Sequence, residues 1–294
     1  MTHATPVRFK IKPGRRTRPD GAPLMGLSVE VRWSLLLLLA VLLSVLSACA
    51  SGPGASTSNT AQPLTESDEP EAQKRARIRL ELATGYFEQG QTSVALDEIK
   101  QSLAAFPGYG PAYVLRGLVY MRMNEPGQAE DSFRRALQIN ERDPDALHNY
   151  GWFVCQQGRH AEAVQLFARA LTSPVYGGQA KTLMAKGVCQ TRMGQFAEAE
   201  ASFARSYELD AANPITGYNL ASLLYKRGDD KRAQFYIRRL NNSELANAES
   251  LWLGIKVERR MNNPQAADQL AQQLLRRFPR SPEYASYQRG AFNE

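Results

Sequence analysis

Apolar and small residues recur along most of this chain with a period of 34 residues. Alanines keep that spacing, with a two-residue insertion after the third, at Ala95, Ala129, Ala163, Ala199 and Ala233. A bulky apolar residue follows each of them by four positions, at Ile99, Phe133, Phe167, Phe203 and Ile237. A further unit, Ala248–Pro279, fits after a one-residue slip. Each unit has apolar positions at the three- and four-residue spacing of two amphipathic helices.

Small residues and turn glycines complete the repeating unit. A small residue is expected to open the first helix of each unit, at Ala83, Gly117, Gly151, Gly187, Ala221 and Gly254. Turn glycines recur between the two helices at Gly90, Gly158, Gly194 and Gly228. Small residues let helix backbones approach each other, and the bulky residue of the second helix fills the groove between them.

The repeat resembles the tetratricopeptide repeat (TPR), in about six copies over residues 73–280. Neither helix of a unit can bury its apolar stripe alone, so stacked neighbours must form the core. We therefore predict an all-α fold, a right-handed superhelical solenoid of about six TPR helix pairs, with the domain spanning residues 73–285.

The N-terminal region carries an apolar run, Trp33–Leu46, preceded by Arg32. Fourteen residues are too few to cross a bilayer, which needs about 20, but they suit a secretory signal. The small residues before Cys49 resemble a bacterial lipobox, so residues 1–48 are a predicted signal peptide and Cys49 a predicted lipidation site. A plain signal with an incidental cysteine is the alternative. Met25 offers a second start codon with a shorter leader.

Residues 49–72 are predicted to form the lipidated N-terminus and a flexible tether. This stretch consists mostly of small and polar residues and has no apolar periodicity, so it cannot bury enough surface to fold. By resemblance to sorted lipoproteins, Ala50 rather than Asp after the lipidated cysteine implies the periplasmic face of the outer membrane. The covalent lipid on Cys49 is the only cofactor that we expect.

Net charge argues against a nucleic-acid partner. The chain carries a formal charge of +7, but residues 1–48 hold seven Lys or Arg and two acidic residues. Of the +7, +5 therefore lies in the signal segment and +2 in the rest. Binding nucleic acid by charge alone is not supported.

No constellation for catalysis, metal or small-molecule binding stands out. His148 and His160 fall on different predicted helices, and no paired-histidine zinc motif, phosphate-binding loop or nucleophile elbow occurs. We expect a protein that is not an enzyme, binds no metal and has no small-molecule substrate.

Cys155 and Cys189 lie in the first helices of the third and fourth units. First helices of successive repeats pack side by side, so the two sulfurs could form a disulfide, which persists in an oxidising compartment. Two buried free thiols are the alternative, since cysteine is often a small core residue.

The first helices should line the inner surface of the superhelix. Seven aromatic or apolar residues are predicted to face that groove: Phe87, Leu118, Met121, Trp152, Met184, Tyr218 and Tyr225. Such side chains suit the capture of a peptide or an amphipathic helix. Several could instead belong to the core, above all Leu118 and Met184.

The run Asn149–Phe153, with Cys155 and the segment Ser173–Cys189, resembles the type IV pilus biogenesis/stability lipoproteins (PilF/PilW). The resemblance implies a pilotin that binds the pilus secretin subunit and helps it to reach the outer membrane and assemble into a ring. The alternative is a general periplasmic TPR scaffold, for example an adaptor for cell-wall hydrolases or for β-barrel assembly, because the fold does not determine the partner.

Overall fold

The computed structural model describes residues 69–292, which form thirteen helices and no strand. The helices are α1 (Glu71–Glu88), α2 (Thr92–Ala105), α3 (Gly110–Arg122), α4 (Pro126–Ile139), α5 (Pro144–Gln156), α6 (His160–Ala170), α7 (Gln179–Arg192), α8 (Phe196–Leu209), α9 (Pro214–Arg227), α10 (Asp230–Asn241), α11 (Ala248–Arg260), α12 (Pro264–Arg277) and α13 (Pro282–Gln288). The predicted signal segment, Met25, Cys49 and the tether up to residue 68 lie outside the described residues.

The helices pack as six consecutive pairs, α1/α2 to α11/α12, followed by α13. The prediction of an all-α superhelical TPR fold with about six pairs is confirmed. First helices of neighbouring pairs contact each other, whereas second helices of neighbouring pairs within residues 69–292 do not. The elements that lie closer together are on the inside of the curve, so the first helices form the inner face of the superhelix.

The small residues of the first helices hold each pair together. A Cβ atom added to Gly117 would lie 2.6 Å from the Phe133 ring, and one added to Gly151 would lie 2.8 Å from the Phe167 ring. The helices are thus as close as the glycines allow. One expectation was wrong: these small residues lie in the interior of the first helices rather than at their start, because the closest approach of two packed helices falls inside their length.

The turn between the two helices of each pair uses a left-handed residue. The four predicted turn glycines have φ between 75° and 88°. Pairs two and six lack a glycine there, and Asn124 (φ 60°) and Asn262 (φ 58°) take its place. Asparagine is, after glycine, one of the residues that tolerate this conformation best.

Two first helices, α5 and α9, begin with a proline that follows a capping side chain. Asp143 accepts hydrogen bonds from the backbone N–H groups of Asp145 and Ala146, and Asn213 caps α9 in the same way. Proline at the first helical position costs no hydrogen bond, and the cap satisfies an otherwise unpaired donor. In pairs three and five, the cap and the proline together mark the start of the pair.

Helix α13 closes the array against the sixth pair. It begins 34 residues after α11 and packs on α11 and α12, where the first helix of a seventh pair would lie. Its aromatic residues and Phe292 pack against the apolar cluster of the sixth pair, which includes Leu251, Ile255 and Leu274.

Candidate functional site

All seven predicted groove residues lie on first helices and are partly exposed. Each also packs against a buried cluster, so these side chains both support the core and present surface on the inner face. This holds for Leu118 and Met184, for which a core position was the alternative. Partner binding by these residues stays a prediction.

Arginines cover two of the seven side chains. The guanidinium carbon of Arg122 lies 3.7 Å from the centre of the Phe87 ring, and that of Arg260 lies 3.6 Å from the centre of the Tyr225 ring. One ring face of Phe87 and of Tyr225 is therefore not open to a partner. The repeat pattern alone does not predict these contacts, because it does not specify which side chains reach back from the following pair.

The same two arginines, together with Arg192, also contact the end of the first helix of the preceding pair. Arg122 donates to the carbonyl of Phe87, Arg260 donates to that of Tyr225, and Arg192 lies 3.4 Å from the carbonyl oxygen of Cys155. Each carbonyl belongs to the last turn of a helix, where it also accepts a hydrogen bond from the backbone N–H of the turn glycine, and where a positive charge is favourable. The arginines thus link successive pairs along the inner side.

The inner face extends into the sixth pair, which the predicted groove omits. Trp252 shares the repeat position of Met184 and Tyr218, and Lys256 and Arg259 share those of Trp152 and Tyr225. The 34-residue spacing would have identified all three. The face therefore changes from apolar in the middle of the array to cationic at its end.

A buried polar cluster anchors the inserted loop between pairs three and four. Nδ1 of His148 lies 2.8 Å from Oγ1 of Thr182, which also lies 3.2 Å from the hydroxyl of Tyr176. Burial, and to a smaller extent the charge of Lys181, lowers the pKa of His148 from 6.5 to about 4. Burial also raises the pKa of Tyr176 to about 12. Both groups are neutral at physiological pH and position the loop, while Val175 at its tip is exposed.

Cys155 and Cys189 form a disulfide in the structure, with Cα atoms 6.1 Å apart. The bond joins α5 to α7, the first helices of pairs three and four. Both residues are fully buried. The bridge therefore fixes the junction at which the two-residue insertion interrupts the repeat.

Comparison with known proteins supports this architecture. Models of the tetratricopeptide repeat family match residues 80–140, 114–175 and 180–213. The chain is 30% identical over 260 residues to the type IV pilus assembly protein PilF of Pseudomonas aeruginosa, and the match covers 88% of this chain and 99% of that protein. This chain belongs to the PilF family. It is a TPR protein of type IV pilus biogenesis.

Solved structures agree with the family assignment. A structure of Pseudomonas aeruginosa PilF matches with a TM-score of 0.71 at 27% identity, over 75% of this chain and 100% of that one. PilW, a widely conserved type IV pilus biogenesis factor, matches with a TM-score of 0.65 at 30% identity, over 72% of this chain and 97% of the other. The more distant TPR protein YrrB, at 14% identity and a TM-score of 0.54, shares the fold alone over 65% of this chain and 97% of its own.

In this PilF-family chain, the residues of the Asn149–Phe153 run have different roles. The side chain of Asn149 donates to the carbonyl of Asp145, and the hydroxyl of Tyr150 donates to Glu130 in the preceding pair. Phe153 is buried. Trp152 is the large side chain of the run that remains partly exposed on the inner face.

Two kinds of feature are absent from the described part of the PilF-family chain. Among residues 69–292, no three His, Cys, Asp or Glu side chains come close enough together to hold a metal ion. No helix in the same range is both long and apolar enough to span a membrane. What the described surface does offer is the aromatic and cationic inner face.

Proposed function

We propose that this chain is a lipoprotein of the outer membrane, anchored at its periplasmic face through Cys49. On its inner face it binds a segment of the pilus secretin subunit, and it helps the subunit to reach the membrane and assemble. The role is binding and delivery rather than catalysis. The family membership supports the pathway, and Trp152 supports the binding surface.

Trp152 is the observation that carries the binding part. Its side chain lies in the middle of the inner face and packs on the core of the third pair while part of it stays exposed. Leu118 precedes it in the same repeat position, and Met121 and Met184 lie on the adjoining first helices. A large anchored aromatic among flexible apolar side chains suits a protein segment, because Trp is a frequent hot spot and Met adapts to its partner.

An unassembled secretin subunit explains why such a surface would be useful. Strand edges that are not yet paired invite aggregation. A chaperone that covers one segment, and that is tethered at the destination, raises the local concentration of subunits without any additional contact. A multiply acylated cysteine would hold it there, since each buried CH₂ contributes about 0.8 kcal/mol.

The proposal can be tested in cells that lack the protein and in cells that carry Cys49→Ser. The heat-resistant secretin multimer is measured in outer-membrane fractions. We expect it to be lost without the protein and to be reduced or mislocalised with Cys49→Ser. A normal ring in both strains would overturn the proposal and favour the general periplasmic scaffold.

The binding surface is tested separately with Trp152→Ala. The variant should weaken the binding of purified secretin by at least tenfold, as for a hot spot worth about 1.4 kcal/mol or more. Phe235→Ala is the matched control, because Phe235 is a 60% exposed aromatic residue on a second helix, away from the inner face. Equal binding by the two variants would contradict the assignment of the surface.

A further inference from the structure

Cations and aromatic rings alternate at the end of the inner face, on α9 and α11. Arg260 covers the ring of Tyr225, and Nζ of Lys256 lies 5.7 Å from the centre of that ring and 5.4 Å from the centre of the Trp252 ring. Burial lowers the pKa of Lys256, and the nearby charge of Lys226 lowers it further. Cationic side chains therefore flank an aromatic surface, and one of them, Arg260, also pairs with Asp230.

Phe292 occupies this surface from within the same chain. The centre of its ring lies 5.3 Å from that of Trp252 and 6.0 Å from that of Tyr287, and the guanidinium carbon of Arg259 lies 3.8 Å above it. Trp252, Tyr287 and Arg259 thus form an aromatic cage, by which we mean these three side chains around the Phe292 ring. The contacts of an aromatic ring with Trp and with a cation are each favourable.

The backbone after α13 turns back to place the ring there. Gly290 has φ 67°, the left-handed conformation that glycine adopts without strain. The N–H of Ala291 donates to the carbonyl of Ser286 at 3.0 Å, which closes the turn. One short turn and one side chain hold the segment, so the Phe292 ring can leave the cage at a small cost in free energy.

We infer that the aromatic cage is a second partner subsite, which takes an aromatic side chain from an acidic protein segment, and that Phe292 occupies it until such a segment binds. Phe292 shows that the cage accepts an aromatic ring. The positive charges of Lys226, Lys256 and Arg259 complement acidic residues on either side of the partner's aromatic side chain. The subsite lies on the same face as Trp152, three pairs further along, so an extended segment could contact both.

The test uses the full-length chain and a fluorescein-labelled peptide, EDFDE, with EDADE as the control peptide. In a two-state exchange the apparent affinity falls in proportion to the fraction of open subsites. Fluorescence anisotropy should therefore show Phe292→Ala binding EDFDE about tenfold more tightly than the unchanged chain, which corresponds to a cage occupied about nine-tenths of the time. EDADE should bind weakly to both.

The cage itself is tested by adding a second change to Phe292→Ala. Arg259→Gln should reverse the gain, whereas Arg276→Gln, which alters an exposed arginine on α12, should leave it intact. A chain ending at Arg289 repeats the test with the segment removed rather than altered. Equal affinity of Phe292→Ala and the unchanged chain, or equal binding of both peptides, would overturn the inference.

The inference rests on the proposed function only in placing the partner segment on the inner face. The experiments distinguish a failure of the cage inference from a failure of the proposed function. Loss of EDFDE binding together with normal Trp152-dependent secretin binding would remove the cage alone. EDFDE binding as expected, together with normal secretin rings in cells that lack the protein, would remove the secretin assignment alone.

Discussion

Arg122 stacks on Phe87 from the following helix pair, with its guanidinium carbon 3.7 Å from the ring centre, and donates to the carbonyl of the same residue. One arginine thus caps a helix and shields an aromatic side chain. Arg260 repeats the arrangement on Tyr225. The inner face is therefore most open to a partner between these two positions, around Trp152.

Replacing Arg122 by Ala should lower the free energy of unfolding by about 1 kcal/mol. A cation–π contact and a charge at a helix C-terminus each contribute up to about 1 kcal/mol at exposed sites. Urea unfolding followed by circular dichroism measures the change. Arg276→Ala, at an exposed position of α12, should change stability by less than about 0.5 kcal/mol, and equal losses in the two variants would argue against the stacking role.

Gly151→Ala should destabilise the protein although alanine is the better helix former. The added methyl group would lie 2.8 Å from the Phe167 ring, and such overpacking costs about 1–3 kcal/mol, more than the gain of about 1 kcal/mol in helix propensity. Gly85→Ala is the matched control, since its added methyl group would have no neighbour within 4 Å. It should stabilise the chain by about 0.5–1 kcal/mol. The melting temperatures should move in opposite directions.

Reduction of the Cys155–Cys189 disulfide should lower stability by up to about 3–4 kcal/mol. The bond closes a loop over a sequence separation of 34, and in the entropic account the gain comes from restricting the unfolded chain. Thermal unfolding with and without reductant tests this, with the Cys155→Ser, Cys189→Ser double variant as the control that reductant should not affect. An unchanged melting temperature of the original chain would contradict a bridge in solution.

His148 should make stability depend on pH between about 6.5 and 4. Burial holds its folded-state pKa near 4, whereas the unfolded chain takes up the proton near 6.5. The unfolded state therefore binds more protons in this window, and stability falls as pH falls, by on the order of 3 kcal/mol in total. His148→Met, the residue at the equivalent position 184, should remove this part of the slope. An identical pH profile in both proteins would exclude His148 as its source.

The repeat made most of the fold predictable. The pairing of the helices follows from the repeated alanines, Ala95 to Ala233, and from the bulky residue four positions after each. A period of 34 residues and close helix contacts leave few other arrangements. Asn124 and Asn262 occupy the glycine turns and could have been found from the same spacing. The same spacing places Trp252, Lys256 and Arg259 on the inner face, although the predicted groove does not include them.

Other features depend on side-chain paths that a repeat does not specify. Arg122 and Arg260 reach the preceding pair with long, flexible side chains, and a glutamine stands at the same repeat position in α5, Gln156. Phe292 lies after the last repeat, where no internal copy exists for comparison. Its position follows from the turn at Gly290 and from the cage that receives it.

The bridge between α5 and α7 also has a mechanical consequence. Each helix pair contacts mainly its neighbours, so pulling on the two ends of the array would unfold the pairs one at a time. Cys155 and Cys189 have a sequence separation of 34, so the segment between them would otherwise release about 110 Å of extended chain. With the disulfide formed, this segment cannot extend. A force applied across the array passes through a covalent bond at its centre.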